Sequence, residues 1–76
     1  MKKGQVVELE NGKIYVIAEV INLNGKDYYY TVNIENNNDI CFSVLKDNKI
    51  YFVDDKELYR LLLIEVAKKN INQEEQ

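Results

Sequence analysis

The sequence predicts an α+β fold: a five-stranded, strongly twisted antiparallel meander with one C-terminal α-helix packed on one face. Three observations lead there. Two Asn-Gly dipeptides, Asn11-Gly12 and Asn24-Gly25, each join runs rich in Val, Ile and Tyr, and both central residues of a type I′ hairpin turn need positive φ. Apolar and polar residues alternate as far as Val53. From Asp54 the apolar period changes from two to about 3.6.

The hairpin of residues 13–34 sets the two faces of the sheet. With Asn24 and Gly25 as a two-residue loop, Leu23 pairs with Lys26, Ile21 with Tyr28, Glu19 with Tyr30, Ile17 with Val32 and Tyr15 with Ile34. These residues form face A. Face B then holds Val20 with Tyr29, Ala18 with Thr31, Val16 with Asn33 and Ile14 with Glu35, and a one-residue slip would exchange the two sets. Face A is the more apolar and is expected to form the core.

Residues 5–9 read as a short first strand. A two-residue turn at Asn11-Gly12 pairs Val7 with Val16 and Leu9 with Ile14 on face B, and Val6 with Ile17 and Glu8 with Tyr15 on face A. Residues 35–39, ENNND, form a polar loop. Residues 40–45 resume the alternation, with Ile40, Phe42 and Val44 on face A and Cys41, Ser43 and Leu45 on face B. Asp47-Asn48 makes a third tight turn, and residues 50–53 a last strand with Tyr51 and Val53 on face A. Asp54 with Glu57 reads as an acidic capping box opening a helix that runs to about Lys69, with Lys68 and Lys69 suited to its C-terminal end. On that helix Leu58, Tyr59, Leu62, Leu63 and Val66 form one apolar stripe able to cover face A, with Leu61 and Ile64 outside it. Residues 1–69 are thus expected as one domain and residues 70–76 as a frayed polar tail.

Length and composition bound the function. Seventy-six residues lie near the lower limit for a core that supports itself without disulfides, metal or a partner subunit. A net charge of −3 with scattered basic residues argues against a nucleic-acid or anionic-membrane surface. There is no hydrophobic signal segment after the N-terminal lysines, and no apolar run approaches the roughly 20 residues of a spanning helix. One cysteine allows no internal disulfide, so a reducing cytoplasm is the expected compartment. The chain has no Pro, His or Trp beside many Asn, Ile, Lys and Tyr, which is what AT-rich codons supply.

Catalytic chemistry finds little here. Without histidine there are no Ser-His or Cys-His nucleophile schemes and no histidine metal ligands, and no enzyme, cofactor or metal is expected. Cys41 lies on a strand without a cationic neighbour in sequence, the setting of an inert thiol. Asp54, Asp55 and Glu57 lack the spacing of a calcium loop and suit a helix start. Glu19, placed on face A opposite Tyr30, is either a carboxylate of raised pKa able to act as a general acid or to anchor a ligand, or one that a β-bulge or sheet edge brings to water or that accepts a hydrogen bond from a tyrosine hydroxyl. Tyr28 and Tyr30 complete that candidate ligand face, for a small molecule or single-stranded nucleic acid, although alternation splits the Tyr28, Tyr29 and Tyr30 run and no basic groove accompanies it.

The remaining signal is surplus apolar surface. Val7, Leu9, Ile14 and Val16 on face B, with Leu61 and Ile64 on the helix, exceed what one helix on one face needs to cover. Partial closure into an SH3-like curl would bury some of them within the chain; a homodimer or another protein would cover them from outside.

The segments KGQVVELENGKIYVI, NGKDYYYTVNI and VDDKELYRLLL resemble a group of short uncharacterised bacterial proteins of low-GC Gram-positive organisms and their mobile elements. The resemblance spans residues 3–63 and rests on turn and core positions. It implies a fold and a source and transfers no catalytic residue. The function expected is a small cytoplasmic, non-catalytic interaction module that associates with itself or with a larger protein.

Overall fold

The computed structural model describes residues 1–74, with side chains through Lys69. It contains β1 (Val6–Glu8), β2 (Ile14–Leu23), β3 (Lys26–Asn33), β4 (Ile40–Lys46), β5 (Lys49–Phe52) and α1 (Lys56–Glu74). The strands form one sheet in chain order, every neighbour antiparallel, curled into a half-barrel beside the helix. This is the expected α+β meander. The helix extends past Lys69, so the lysines do not end it; the side chains of the tail expected at residues 70–76, and all of its last two residues, lie outside the described residues.

Two of the three tight turns have the expected chemistry. Asn24 (φ 55°) with Gly25 (φ 81°), and Asp47 (φ 53°) with Asn48 (φ 66°), both take the positive φ of a type I′ turn. The first turn differs. The Gly12 N–H donates to Leu9 O at 2.9 Å and the Leu9 N–H to Lys13 O at 3.0 Å, so residues 10–12 form a three-residue loop whose positive φ falls on Gly12 alone. Three loop residues move the register by one: Val7 faces Tyr15 and Val6 faces Val16, where a two-residue turn would set Val7 against Val16.

A second shift lies inside β2. From Leu23 to Glu19 the pairing with β3 follows the expected count, with Ile21 opposite Tyr28 and Glu19 opposite Tyr30. Ala18 is then an extra residue, a β-bulge, after which Ile17 pairs with Thr31, Val16 with Val32 and Tyr15 with Asn33. Because side chains alternate with period two, one inserted residue turns over the whole first half of β2. Tyr15 and Ile17, expected on face A, point to face B; Ile14 and Val16, expected on face B, point to face A. The two shifts cancel for β1, so Val7 and Leu9 remain on face B.

The consequence is a core on each side of the sheet. On the concave face, Val7, Leu9, Tyr15, Ile17 and Tyr29 are buried together, with Val20, Cys41, Ile50 and Phe52 packed around them. On the convex face, Ile21, Tyr28, Phe42 and Leu62 form the second cluster, with Tyr30, Val53, Leu58, Tyr59 and Val66 against it. The Phe42 ring meets Tyr30 at 5.2 Å and Tyr59 edge-on at 4.9 Å. The curl answers the surplus of apolar residues in part: Val7 and Leu9 are closed in by the chain itself.

Asp55 caps the helix, a role expected of Asp54. Its carboxylate accepts from the N–H groups of Glu57 (3.0 Å) and Leu58 (3.3 Å). The helix then crosses the strands from β5 to β2, where the Lys69 ammonium bonds the Glu19 carboxylate and the Val20 carbonyl.

Candidate functional site

The bulge at Ala18 has a result that reaches the surface. Beyond it, Val6, Val16, Val32 and Ile40 stand directly opposite one another on four successive strands. Val32 shares the face of Tyr28 and Tyr30, so this row lies on the helix-bearing side. A helix is about 10 Å wide and same-face residues along a strand are about 6.8 Å apart, so one helix lying across a sheet covers little more than one such row beyond its axis. The helix takes the rows of Ile21 and of Glu19, Tyr30 and Phe42. The next row stays bare. Val6 is 58% exposed and Ile40 39%, with Val16 and Val32 half-buried between them.

Leu58 lines a cleft with Tyr28 on one side of α1, whereas Tyr59 packs on Phe42 toward the other. Leu63, one turn after Tyr59, is 48% exposed instead of covered with the rest of the stripe. The four β-branched side chains thus form one aliphatic row. Two carboxylates border it: Glu8, exposed on the same face two residues from Val6, and Glu19, neutralised by Lys69 at 3.3 Å and Lys3 at 3.6 Å.

The residues singled out in the sequence fall into three places. Val7 and Leu9 are inside the concave core and unavailable to a partner. Val16 and Ile14 do reach an open surface, on the face opposite to the one expected. Leu61 and Ile64 are exposed on the helix, apart from Leu62, which is fully buried. Val6, Val32, Ile40 and Leu63 escaped the sequence reading, because strict alternation sets Val32 against Ile17 under the helix. The available signal was Glu19: unbroken alternation buries a carboxylate between Ile17 and Ile21, and a bulge beside it is one of the two ways out.

Glu19, Tyr28 and Tyr30 do not form a ligand site together. Tyr30 packs on Phe42. Tyr28 borders a cleft of about 410 Å³ with Lys26, Lys46, Val53 and Asp55, and Glu19 is not among the residues lining it. Burial works against the Glu19 charge, but Lys69, the Val20 N–H and Lys3 outweigh it and hold the carboxyl below its ordinary range, opposite to the raised value a proton donor needs. Burial pushes the Cys41 thiol up, against a smaller opposing effect of the Thr31 hydroxyl at 3.2 Å, so it is poorly nucleophilic. Among the described residues no cluster of three or more acidic or cysteine side chains is arranged to hold a metal, and no helix is long and apolar enough to cross a membrane.

One polar cluster is structural. The Tyr15 hydroxyl donates to Asp39 at 2.6 Å and accepts from Asn11 at 3.1 Å, while the Asn33 amide donates to Asp39 at 3.1 Å. It ties the first turn to the 34–39 loop at one end of the half-barrel. The hydrogen bond from Tyr15, then that from Asn33, lowers the Asp39 pKa, and the same bond, with burial, raises that of Tyr15. No protein-family model, curated protein or solved structure matches the chain.

Proposed function

We propose that this chain is a small, non-catalytic protein–protein interaction module of the cytoplasm that pairs with a second copy of itself through the row Val6, Val16, Val32 and Ile40 and the adjoining Leu63. The observation that carries the reading is that row: four apolar β-branched residues in register on four strands, with its two outer members exposed. A two-fold pairing needs a surface complementary to itself. An aliphatic row meets that need, since its own side chains bring no like charges together, and the pairing of Glu19 with both lysines neutralises one of the two carboxylates bordering it. A 76-residue chain divided between two small cores also gains from added burial, at roughly 25 cal/mol per Å².

Sedimentation equilibrium tests the proposal. The chain is expected to approach twice its 9.0 kDa mass as concentration rises, and Ile40→Lys, at an exposed position, to stay monomeric with an unchanged circular dichroism spectrum. A parent chain that is monomeric throughout overturns the pairing, and a dimer that survives Ile40→Lys together with Val6→Lys places it on another surface.

A further inference from the structure

The half-barrel has an open seam. Because every strand pair is antiparallel and the meander has five strands, β1 and β5 run in the same direction and no ladder joins them. Direct closure would need a parallel pair of edges. One further strand, running antiparallel to both, would complete an all-antiparallel barrel of even strand number.

The groups such a strand requires are in place. On β1, Gln5 O and Leu9 N–H bond toward β2, so by alternation the N–H and C=O of Val6 and Glu8 point away from it. On β5, the Val53 N–H bonds Phe42 O, so Ile50 and Phe52 present theirs outward. Between the edges lies a cleft of about 310 Å³ lined by Glu8, Leu9 and Glu10 on one side and Lys49, Ile50 and Tyr51 on the other. One outward donor is already engaged: the Glu10 carboxylate crosses the seam to accept the Phe52 N–H at 3.1 Å. A side-chain oxygen stands there where the carbonyl of a neighbouring strand would.

We infer that the seam between β1 and β5 is a strand-acceptor site for one extended segment of a partner polypeptide, with Glu10 as its latch. The entering strand runs antiparallel to both edges, displaces Glu10 from Phe52, and bonds Val6 and Glu8 on one side and Ile50 and Phe52 on the other. Its inward side chains are apolar, to meet Leu9 and Ile50. An outward lysine or arginine answers Glu8, whose side chain is exposed at the β1 edge. Proline is excluded, because both of its edges must supply N–H groups. This site shares the edge residue Val6 with the self-association surface but uses its outward backbone groups, and Glu8, Ile50 and Phe52 belong to the seam alone.

The test is a titration of the labelled chain with a short blocked peptide of alternating valine and lysine, followed through backbone amide shifts. Shifts are expected at Glu8, Ile50 and Phe52, with Glu10→Ala binding roughly tenfold more tightly because no internal acceptor competes. Glu10→Gln keeps the acceptor and is expected to show no such gain. A peptide N-methylated at alternate residues is expected not to bind. Equal binding of the N-methylated peptide, shifts centred on Val16 and Val32, or the same affinity for Glu10→Ala as for the parent each overturn the assignment. Shifts at Glu8, Ile50 and Phe52 produced by adding unlabelled chain alone would make the occupant a second copy and overturn it as well.

Discussion

Deleting Ala18 removes the bulge without removing any residue of either core. If the first half of β2 then follows unbroken alternation, Tyr15 and Ile17, now almost wholly buried, pass to the convex side, and Ile14 and Val16 take their places. Withdrawing two buried side chains removes about 3–6 kcal/mol of transfer free energy. The incoming Ile14 and Val16 are already half-buried and return about 1–2 kcal/mol of it, so the net loss is about 2–4 kcal/mol. A 76-residue domain holds about 4–11 kcal/mol in all, so this is a large share. The assay is urea unfolding followed by far-UV circular dichroism and tyrosine fluorescence, with Ala18→Gly as the control that keeps chain length and bulge. The deletion is expected to lower the midpoint sharply, and Ala18→Gly to stay within about 1 kcal/mol of the parent. A deletion variant as stable as the control would refute the claim that the inserted residue sorts β2 between two cores.

Other outcomes follow from single sites. Leu62→Ala, at a fully buried position, is expected to cost about 2–5 kcal/mol, whereas Ile64→Ala, exposed on the outer helix face, is expected to cost less than about 1 kcal/mol by the same unfolding assay. Ser43→Ala removes a fully buried hydroxyl that has no hydrogen-bond partner, and is expected to be neutral or to raise stability by about 1 kcal/mol, seen as a higher midpoint. The folded-state pKa values of Glu19 and Asp39 lie below their ordinary ones, so their contribution is present above the unfolded carboxyl pKa and is lost as pH falls through the folded values. Acid titration of stability is therefore expected to show a limb below the ordinary carboxyl range that Glu19→Gln makes shallower. Tyr15→Phe is expected to release the 34–39 loop from the first turn, measured as faster amide exchange at Asp39, whose N–H bonds Asn36 O at 2.9 Å.

Strand number, order and the two type I′ turns are legible in the sequence because each depends on a few neighbouring residues. Asn24-Gly25 and Asp47-Asn48 specify their hairpins alone. The same dipeptide chemistry at Asn11-Gly12 gives a longer loop, because Gly12 supplies a positive φ equally well as the last of three residues, and local propensity does not separate the two. The bulge at Ala18 is decided by tertiary packing: it buries Ile17 and Tyr15 inside the curl while leaving Glu19 within reach of Lys69, fifty residues away. Faces assigned by alternation are therefore right on β1, β3, β4 and β5 and reversed on half of one strand. That half-strand moves the exposed row from Ile14 and Val16 beside Val7 and Leu9 to Val16 beside Val6, Val32 and Ile40. The helix cap moves by one residue for a simpler reason, since Asp54 and Asp55 are chemically equivalent and only backbone geometry chooses between them.

The measurement that tests the self-association account most directly is a dilution series of amide spectra on the isotopically labelled chain. The account predicts concentration-dependent shifts at Val6, Val16, Val32, Ile40 and Leu63, with Val7, Ile17 and Ile64 unchanged. Spectra that do not change with concentration, or shifts gathered on Leu61 and Ile64, would contradict it.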